Sequence, residues 1–287
     1  MPAHIVDLDH APELVRPVLG LFQEAGPGRR HAVCGMPVRM GQKPTAEDLA
    51  NSLGTIALVD GKRLLGALTI CAYSEDQATL WGPVVAAGGG LMSLGRTLVK
   101  EARTAMRDAG FTSLRALADS RNRDLRTFLL GQGLTLWKES HCYERLLHRV
   151  PAAPEGVRLA TKRDHAAAAA ILGGAFPDSG HCLPSLADRE REGYRHYVVL
   201  SENLIVGVAA VQQDQRRSWI KLISVRGDLR GRGMAKRLLT GILAAESALG
   251  QREIGLEVLA DNAAAIAAFE STNFRRAWTF GIFTGPV

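Results

Sequence analysis

The chain is poor in aromatic residues, which make up 6% of its 287 positions, and it holds only four cysteines. Scarce aromatics, with no dense basic stripe and no recognisable reading motif, argue against a nucleic-acid partner. The formal charge is +6, and it is not concentrated: residues 1–150 carry 18 Lys/Arg against 15 Asp/Glu, and residues 151–287 carry 17 against 14. A modest excess of this kind suits attraction of a polyanionic small molecule, although most of the charges read as solvated surface. The cysteines (Cys34, Cys71, Cys142, Cys182) are scattered without a CxxC pair. That spacing argues against a metal site or a disulfide framework and fits reduced thiols in a cytoplasmic protein. No apolar run is long enough to span a bilayer. The opening residues, Met1-Pro-Ala-His4, lack the basic segment and apolar core of a secretory leader, so neither a membrane nor a leader is expected.

What is present is a strand, a turn and a helix. Leu222-Ile-Ser-Val225 is apolar and ends in Arg226-Gly-Asp-Leu-Arg230-Gly-Arg-Gly233. Leu238, Leu239, Ile242 and Leu243 then recur at helical spacing from Met234 onward. A glycine-rich turn at a helix N-terminus gathers unpaired backbone N–H groups at the positive end of the helix dipole, which favours phosphate. Gly231 and Gly233 allow close approach, and Arg230 and Arg232 add fixed charge. By itself the turn also fits another class of nucleotide site, or a plain tight turn.

Arg230-x-x-Gly233-x-Ala235 resembles the Arg/Gln-x-x-Gly-x-Gly/Ala signature of the GCN5-related N-acetyltransferases (GNAT). Downstream, Leu256-Glu-Val-Leu-Ala-Asp-Asn262 and Phe269-Glu-Ser-Thr-Asn-Phe274 resemble the second block of that superfamily. The resemblance spans roughly residues 157–280. It implies that the turn, with Arg230, Gly231, Arg232, Gly233, Met234 and Ala235, grips the pyrophosphate of acetyl-CoA as co-substrate. It further implies that Ile223, Ser224 and Val225 meet the pantetheine and acetyl groups, with Val225 N–H as oxyanion donor. Asn262 is expected beside the pantetheine arm, with Phe269 also at the cofactor.

An internal repeat sets the architecture. An offset of 140 carries Asn262 onto Asn122, Asn273 onto Gly133 and Phe274 onto Leu134; Gly207 and Gly66 stand 141 apart in similar apolar runs. Each half reads as two strands joined by a short polar turn (Asp60-Gly-Lys62, Ser201-Glu-Asn203), a third strand, a long helix, a fourth strand and a short helix. The long helices are predicted over 96–109 and 236–249. The expected fold is α/β with two tandem GNAT-like domains, 1–150 and 151–287. Each domain would be a mixed, mostly antiparallel sheet flanked by helices. The Pro-rich stretch Val150–Gly156 reads as the linker. In the first half Gly90, Ser93 and Gly95 fall opposite Arg230, Gly233 and Ala235. The arginines are lost and a Cβ stands where close approach is wanted, so this copy is expected to be degenerate.

For chemistry, Glu257 is the candidate general base. The segment around it resembles protein N-terminal acetyltransferases, which use a glutamate at the matching place. Many relatives carry a tyrosine where Phe269 stands, and phenylalanine has no proton to give a departing thiolate. Tyr194, Tyr197 and Ser271 are weaker substitutes, and the first copy has Leu129 there. His181 and Cys182 fall in a loop suited to acceptor recognition, Trp81 and Trp219 read as packing residues, and His165 reads as a surface residue. The leading expectation is acetyl transfer from acetyl-CoA to a primary amine of a small molecule by a monomer or homodimer. The alternatives are a protein N-terminal acetyltransferase and a non-catalytic acyl-CoA-binding or scaffold protein. Peptidyl transfer from aminoacyl-tRNA is disfavoured because it leaves the turn without a use.

Overall fold

The computed structural model describes residues 3–24, 32–33, 36–37, 44–175, 185–214 and 217–287. The chain forms two compact units. One comprises Met1–Ser140 with Trp278–Val287, and the other comprises His141–Ala277. The units therefore differ from contiguous halves divided at 150/151, because each sheet includes a final strand encoded in the other half.

The first unit runs β1 (His4–Asp7), α1 (Val15–Glu24), the two-residue pair β2 (Ala32–Val33) and β3 (Met36–Pro37), and α2 (Ala46–Ala50). Then come β4 (Gly54–Asp60), β5 (Arg63–Ala72), β6 (Gln77–Val85), α3 (Arg96–Asp108), β7 (Ser113–Asp119) and α4 (Arg123–Gly131). β8 (Thr135–Leu146) begins there and ends in the second unit. The second unit continues with β9 (Val157–Leu159), α5 (His165–Ala175), α6 (Leu186–Arg191), β10 (Tyr194–Ser201) and β11 (Leu204–Asp214). It is completed by β12 (Arg217–Val225), α7 (Met234–Ala248), β13 (Glu253–Leu259) and α8 (Ala263–Glu270). β14 (Arg275–Pro286) returns to the first unit.

The strand order is β1-β4-β5-β6-β7-β14 in the first unit and β8-β13-β12-β11-β10-β9 in the second. Apart from the parallel pairs β6/β7 and β12/β13, the ladders with defined register are antiparallel. Each sheet is thus mixed, as the alternation of elements predicts. The repeat is exact in register: Gln77 pairs with Ser113, and Arg217 with Glu253, each residue 140 further on. Sequence reading missed β1 and β9, which at four and three residues are too short to show a period.

Each sheet packs its core against a long helix. In the second unit Leu238, Leu239, Ile242 and Leu243 of α7 meet Ile220, Ile254, Leu256 and Val258. α5 covers Val198 and Val208 with Ala168 and Leu172. In the first unit Leu98, Val99, Ala102 and Met106 of α3 pack on Leu68, Leu80, Leu114 and Ala116. The equivalent glycines lie where strands crowd. A Cβ on Gly66 would stand 3.0 Å from the Val84 carbonyl oxygen, and one on Gly207 would stand 3.0 Å from that of Ser224. Trp81 and Trp219 are buried, in keeping with a packing role. So are Cys71 and Cys142, whereas Cys34 and Cys182 lie outside the described residues.

Candidate functional site

Two parallel strands part company to make the site. β12 and β13 pair from Arg217↔Glu253 to Ile220↔Leu256, and the ladder stops there. Yet β12 continues to Val225 and β13 to Leu259. A register shift in the β11/β12 ladder, between Ala210 and Val211, accompanies the divergence and supplies the local bend. Past Ile220, β12 keeps only its β11 neighbour. Arg226 donates its N–H to the Val206 carbonyl at 2.9 Å. Because backbone N–H groups alternate between the two edges of a strand, those of Val225 and Ile223 point the other way, into the opening.

The chain then makes a one-turn 3-10 helix, Gly227–Leu229, and enters α7 through Gly231 (φ +76°) and Gly233 (φ +77°). Both sit in the left-handed region, which glycine reaches without a Cβ penalty. Gly233 is the N-cap and offers no capping side chain. The first intrahelical bond is Arg237 N–H to the Gly233 carbonyl at 3.0 Å. Among the described residues, the amides of Gly231, Arg232, Gly233, Met234, Ala235 and Lys236 have no acceptor, so the helix end is left open. α7 begins at Met234, where the helical spacing starts.

Charge around the turn is mostly positive. Arg230, Arg232 and Lys236 are exposed, while Arg237 donates to the Glu155 carbonyl at 3.0 Å through Nε. Asp228 is held by Arg226 at 2.7 Å, and that hydrogen bond keeps its carboxyl below the usual carboxylate range.

These pieces enclose a cleft of about 530 Å3. Ile223, Ser224, Val225, Arg230, Gly231, Gly233, Met234, Ala235, Asn262 and Phe269 all line it, so the structure gathers most of the expected site residues in one place. Arg232 lies in the turn but does not line the cleft. Asn262 is the N-cap of α8, its Oδ1 accepting from Ala265 N–H at 3.1 Å. Phe269 is buried, its ring centroid 6.4 Å from that of Tyr143 and 6.2 Å from that of Phe274.

Glu257 stands one residue beyond the last position at which β13 pairs with β12 and is exposed. Its neighbours Leu256 and Val258 point into the α7 core, so Glu257 faces the opposite side of the sheet. It lines neither this cleft nor the second groove described below.

The alternative proton donors have structural occupations. Tyr197 donates to Glu246 at 2.7 Å, and burial pushes its hydroxyl well above the usual range. Ser271 donates to the Ala268 carbonyl at 2.8 Å. His165 lies 3.0 Å from Glu190, tying α5 to α6. His181 and Cys182 fall outside the described residues.

A second groove, about 690 Å3, runs along the end of β12 against α5. Ser224, Val225 and Arg230 line both spaces, whereas Ala167, Ala170, Ile171, Ile205 and Arg226 belong to the second alone. Sequence reading did not find this groove. Its wall is an alanine-rich helix with no periodic signal.

The first unit repeats the geometry without the two arginines of the turn. β6 and β7 pair only from Gln77↔Ser113 to Leu80↔Ala116, and a cleft of about 350 Å3 opens beyond, lined by Gly88–Met92, Asn122 and Leu125. Ala86 N–H bonds the Leu65 carbonyl at 2.8 Å, as Arg226 bonds Val206. The position matching Ile223 is Pro83, which has no N–H to offer the opening. Ser93 and Leu94 spend their amides on the Gly90 carbonyl. Pro83 is legible in the sequence, but it lies outside the turn motif.

Residues 166–274 match the Acetyltransferase (GNAT) family. No curated protein matches the chain by sequence. Solved structures match almost its whole length. A GCN5-related N-acetyltransferase from Sphaerobacter thermophilus is 17% identical with a TM-score of 0.72, over 99% of this chain and 95% of the other. A tandem GNAT protein from the clavulanic acid biosynthesis pathway is 19% identical with a TM-score of 0.69, over 99% and 98%. A putative acetyltransferase from Pyrococcus horikoshii is 14% identical with a TM-score of 0.58, over 99% and 89%. With the cleft, the open turn and the repeated register already described, residues 166–274 are similar to the GNAT acetyltransferase family, and the chain as a whole has the tandem GNAT fold.

Proposed function

We propose that the protein transfers an acetyl group from acetyl-CoA to a primary amine of a small molecule, using the cleft of the second unit. The observation that carries this reading is the run of open amides from Gly231 to Lys236 at the mouth of a cleft floored by splayed β12. Those donors, the helix dipole and the exposed charges of Arg230 and Arg232 suit a diphosphate. Ile223 and Val225, with their N–H groups turned into the opening, suit an amide-bearing arm and a thioester oxygen. Asn262 and the small residues of α8 flank that arm. The sequence copies are assigned as 1–150 and 151–287, the first being degenerate.

Bound acetyl-CoA supplies a thioester whose C–S bond breaks as the amine nitrogen bonds the carbonyl carbon; the amine gives up a proton and the coenzyme leaves as the thiol. Val225 N–H is assigned to the carbonyl oxygen as charge develops there. Glu257, on the face of β13 away from α7, is assigned to take the amine proton through water. With phenylalanine at position 269, the sulfur draws its proton from water. Phe269 also favours a second reading, a non-catalytic acyl-CoA binder.

Calorimetric titration with acetyl-CoA, followed by thiol release across a panel of amines, tests the assignment. Binding with turnover supports transfer, and binding without turnover on any amine supports the second reading. Absence of binding rejects both. Glu257→Gln is expected to lower turnover at neutral pH far more than acetyl-CoA affinity, and equal losses would remove it from the chemistry.

A further inference from the structure

We propose that the acceptor is an amine with an apolar body and its own carboxylate, an α-amino acid or close analogue, seated in the groove between α5 and the end of β12. The proposal rests on the acetyltransferase reading and narrows it. The groove shares Ser224 and Val225 with the donor cleft, so an occupant reaches the same strand end from the other side. Its walls are apolar, from Ala167, Ala170, Ile171 and Ile205. Among the described residues, its charged lining is Arg226 and Arg230, and no carboxylate lines either space.

That lining selects by charge. Among the described residues, an ammonium taken from water into such a groove meets no carboxylate in its lining, a costly transfer. A polycation suffers the same penalty several times over. A carboxylate is attracted, and Arg226 is placed to receive it. Asp228 engages Arg226 through Nε and one Nη, at 3.1 and 2.7 Å, leaving the other Nη without a partner among the described residues. Ser224 and Arg226 fall on the same side of the strand line, about 7 Å apart by strand rise. An α-amino acid spans that interval with its amine toward Ser224 and its carboxylate toward Arg226. Ser224 is a largely buried residue that lines both spaces, so its hydroxyl is a polar group on β12 available to the amine.

The test uses the full-length protein with saturating acetyl-CoA and follows thiol release with leucine, phenylalanine, leucinamide and spermidine. Leucine is expected to exceed leucinamide at least about tenfold in kcat/KM, a difference of about 1.4 kcal/mol, with spermidine inert. Arg226→Gln should raise KM for leucine and leave leucinamide and acetyl-CoA affinity unchanged. Ala170→Phe should raise KM for both amines. Independently of turnover, N-acetyl-leucine should bind in the presence of CoA and lose that binding in Arg226→Gln. Spermidine or leucinamide serving as well as leucine overturns the inference while leaving the acetyltransferase reading intact. A protein that fails to bind acetyl-CoA, or binds it but acetylates nothing, instead overturns that reading and the inference with it.

Discussion

Tyr143 donates its hydroxyl to Glu270 at 2.8 Å, joining β8, encoded at the end of the first half, to α8 of the second unit. Burial and that hydrogen bond together push the Tyr143 hydroxyl above its usual range. The attachment is not isolated. Arg145 donates to the Thr272 carbonyl, Leu147 N–H bonds the Arg252 carbonyl at 2.9 Å, and Tyr143 and Leu147 are members of the α7 core. Reciprocally, β14 pairs with β7 from Phe280↔Asp119 to Pro286↔Ser113.

The first prediction is that the contiguous half is not the folding unit. A fragment of residues 151–287 lacks Tyr143, Arg145 and Leu147 and should show no cooperative thermal transition. A fragment of residues 141–277 should show one. In the full chain, Tyr143→Phe removes a single hydrogen bond and is expected to cost about 1 kcal/mol in denaturant unfolding. A cooperative transition in the 151–287 fragment equal to that of 141–277 would refute the exchange as a stabilising feature.

The second prediction separates structure from chemistry at two equivalent asparagines. Asn122 and Asn262 each cap a helix, accepting from the backbone N–H three residues on at 3.1 Å. Either change to alanine should cost about 1 kcal/mol of stability, the usual worth of such a cap. Only Asn262→Ala should also weaken acetyl-CoA binding, because only Asn262 lines the proposed donor cleft. Equal effects of the two changes on that affinity would confine Asn262 to capping.

These pairs show how far the sequence could be read and where it stops. The turn at 230–235 and the repeat were legible because glycine placement and a constant offset are local properties. Asn273, at φ +62°, fills the left-handed position just past α8 that Gly133 fills past α4 at φ +80°; the offset aligns them, and asparagine tolerates that conformation. The strand exchange was not legible. The residue patterns of β8 and β14 do not specify a sheet, and only tertiary packing decides which edge each one joins. Nor could spacing reveal that Arg195 and Glu246, fifty-one residues apart, would meet.

The third prediction concerns acid. Glu246 is fully buried on α7 and accepts from Arg195 at 2.6 Å, Tyr197 at 2.7 Å and Ser218 at 2.5 Å. Burial raises its pKa, but these donors outweigh burial, and the carboxyl ends below its ordinary value. A depressed carboxylate stabilises the fold above its unfolded pKa and loses that contribution as pH falls through the folded one. Stability should therefore hold at neutral pH and decline below the usual carboxylate range. Glu246→Gln should flatten that acid limb. It should also cost about 3–5 kcal/mol at neutral pH, since Arg195 is left without its counter-charge in a largely buried site. The matching residue of the first unit is Met106, which is buried among apolar neighbours and carries no such dependence. Chemical denaturation of wild type and variant from pH 7 downward measures both effects, and parallel pH profiles would contradict the assignment.

The last prediction is a stoichiometry. Both units keep the splayed strands, so shape alone would allow two acetyl-CoA molecules per chain. The first cleft nevertheless has Pro83 in place of a donor at Ile223, and Gly90 and Met92 where Arg230 and Arg232 stand. It also has amides at Ser93 and Leu94 already bonded to Gly90. Loss of the two arginines alone removes charge-assisted contacts to a diphosphate, each about twice the strength of a neutral hydrogen bond. Titration should accordingly give one acetyl-CoA per chain. Combining Arg230→Ala with Gly233→Ala should abolish the signal entirely. The alanine at 233 works through the backbone: the space there is open, but φ +77° costs a residue with a Cβ about 1–2 kcal/mol, which shifts the amides out of line. A remaining site of unit stoichiometry in that double variant would assign coenzyme binding to the first unit and leave the Gly231–Lys236 amides without their proposed ligand.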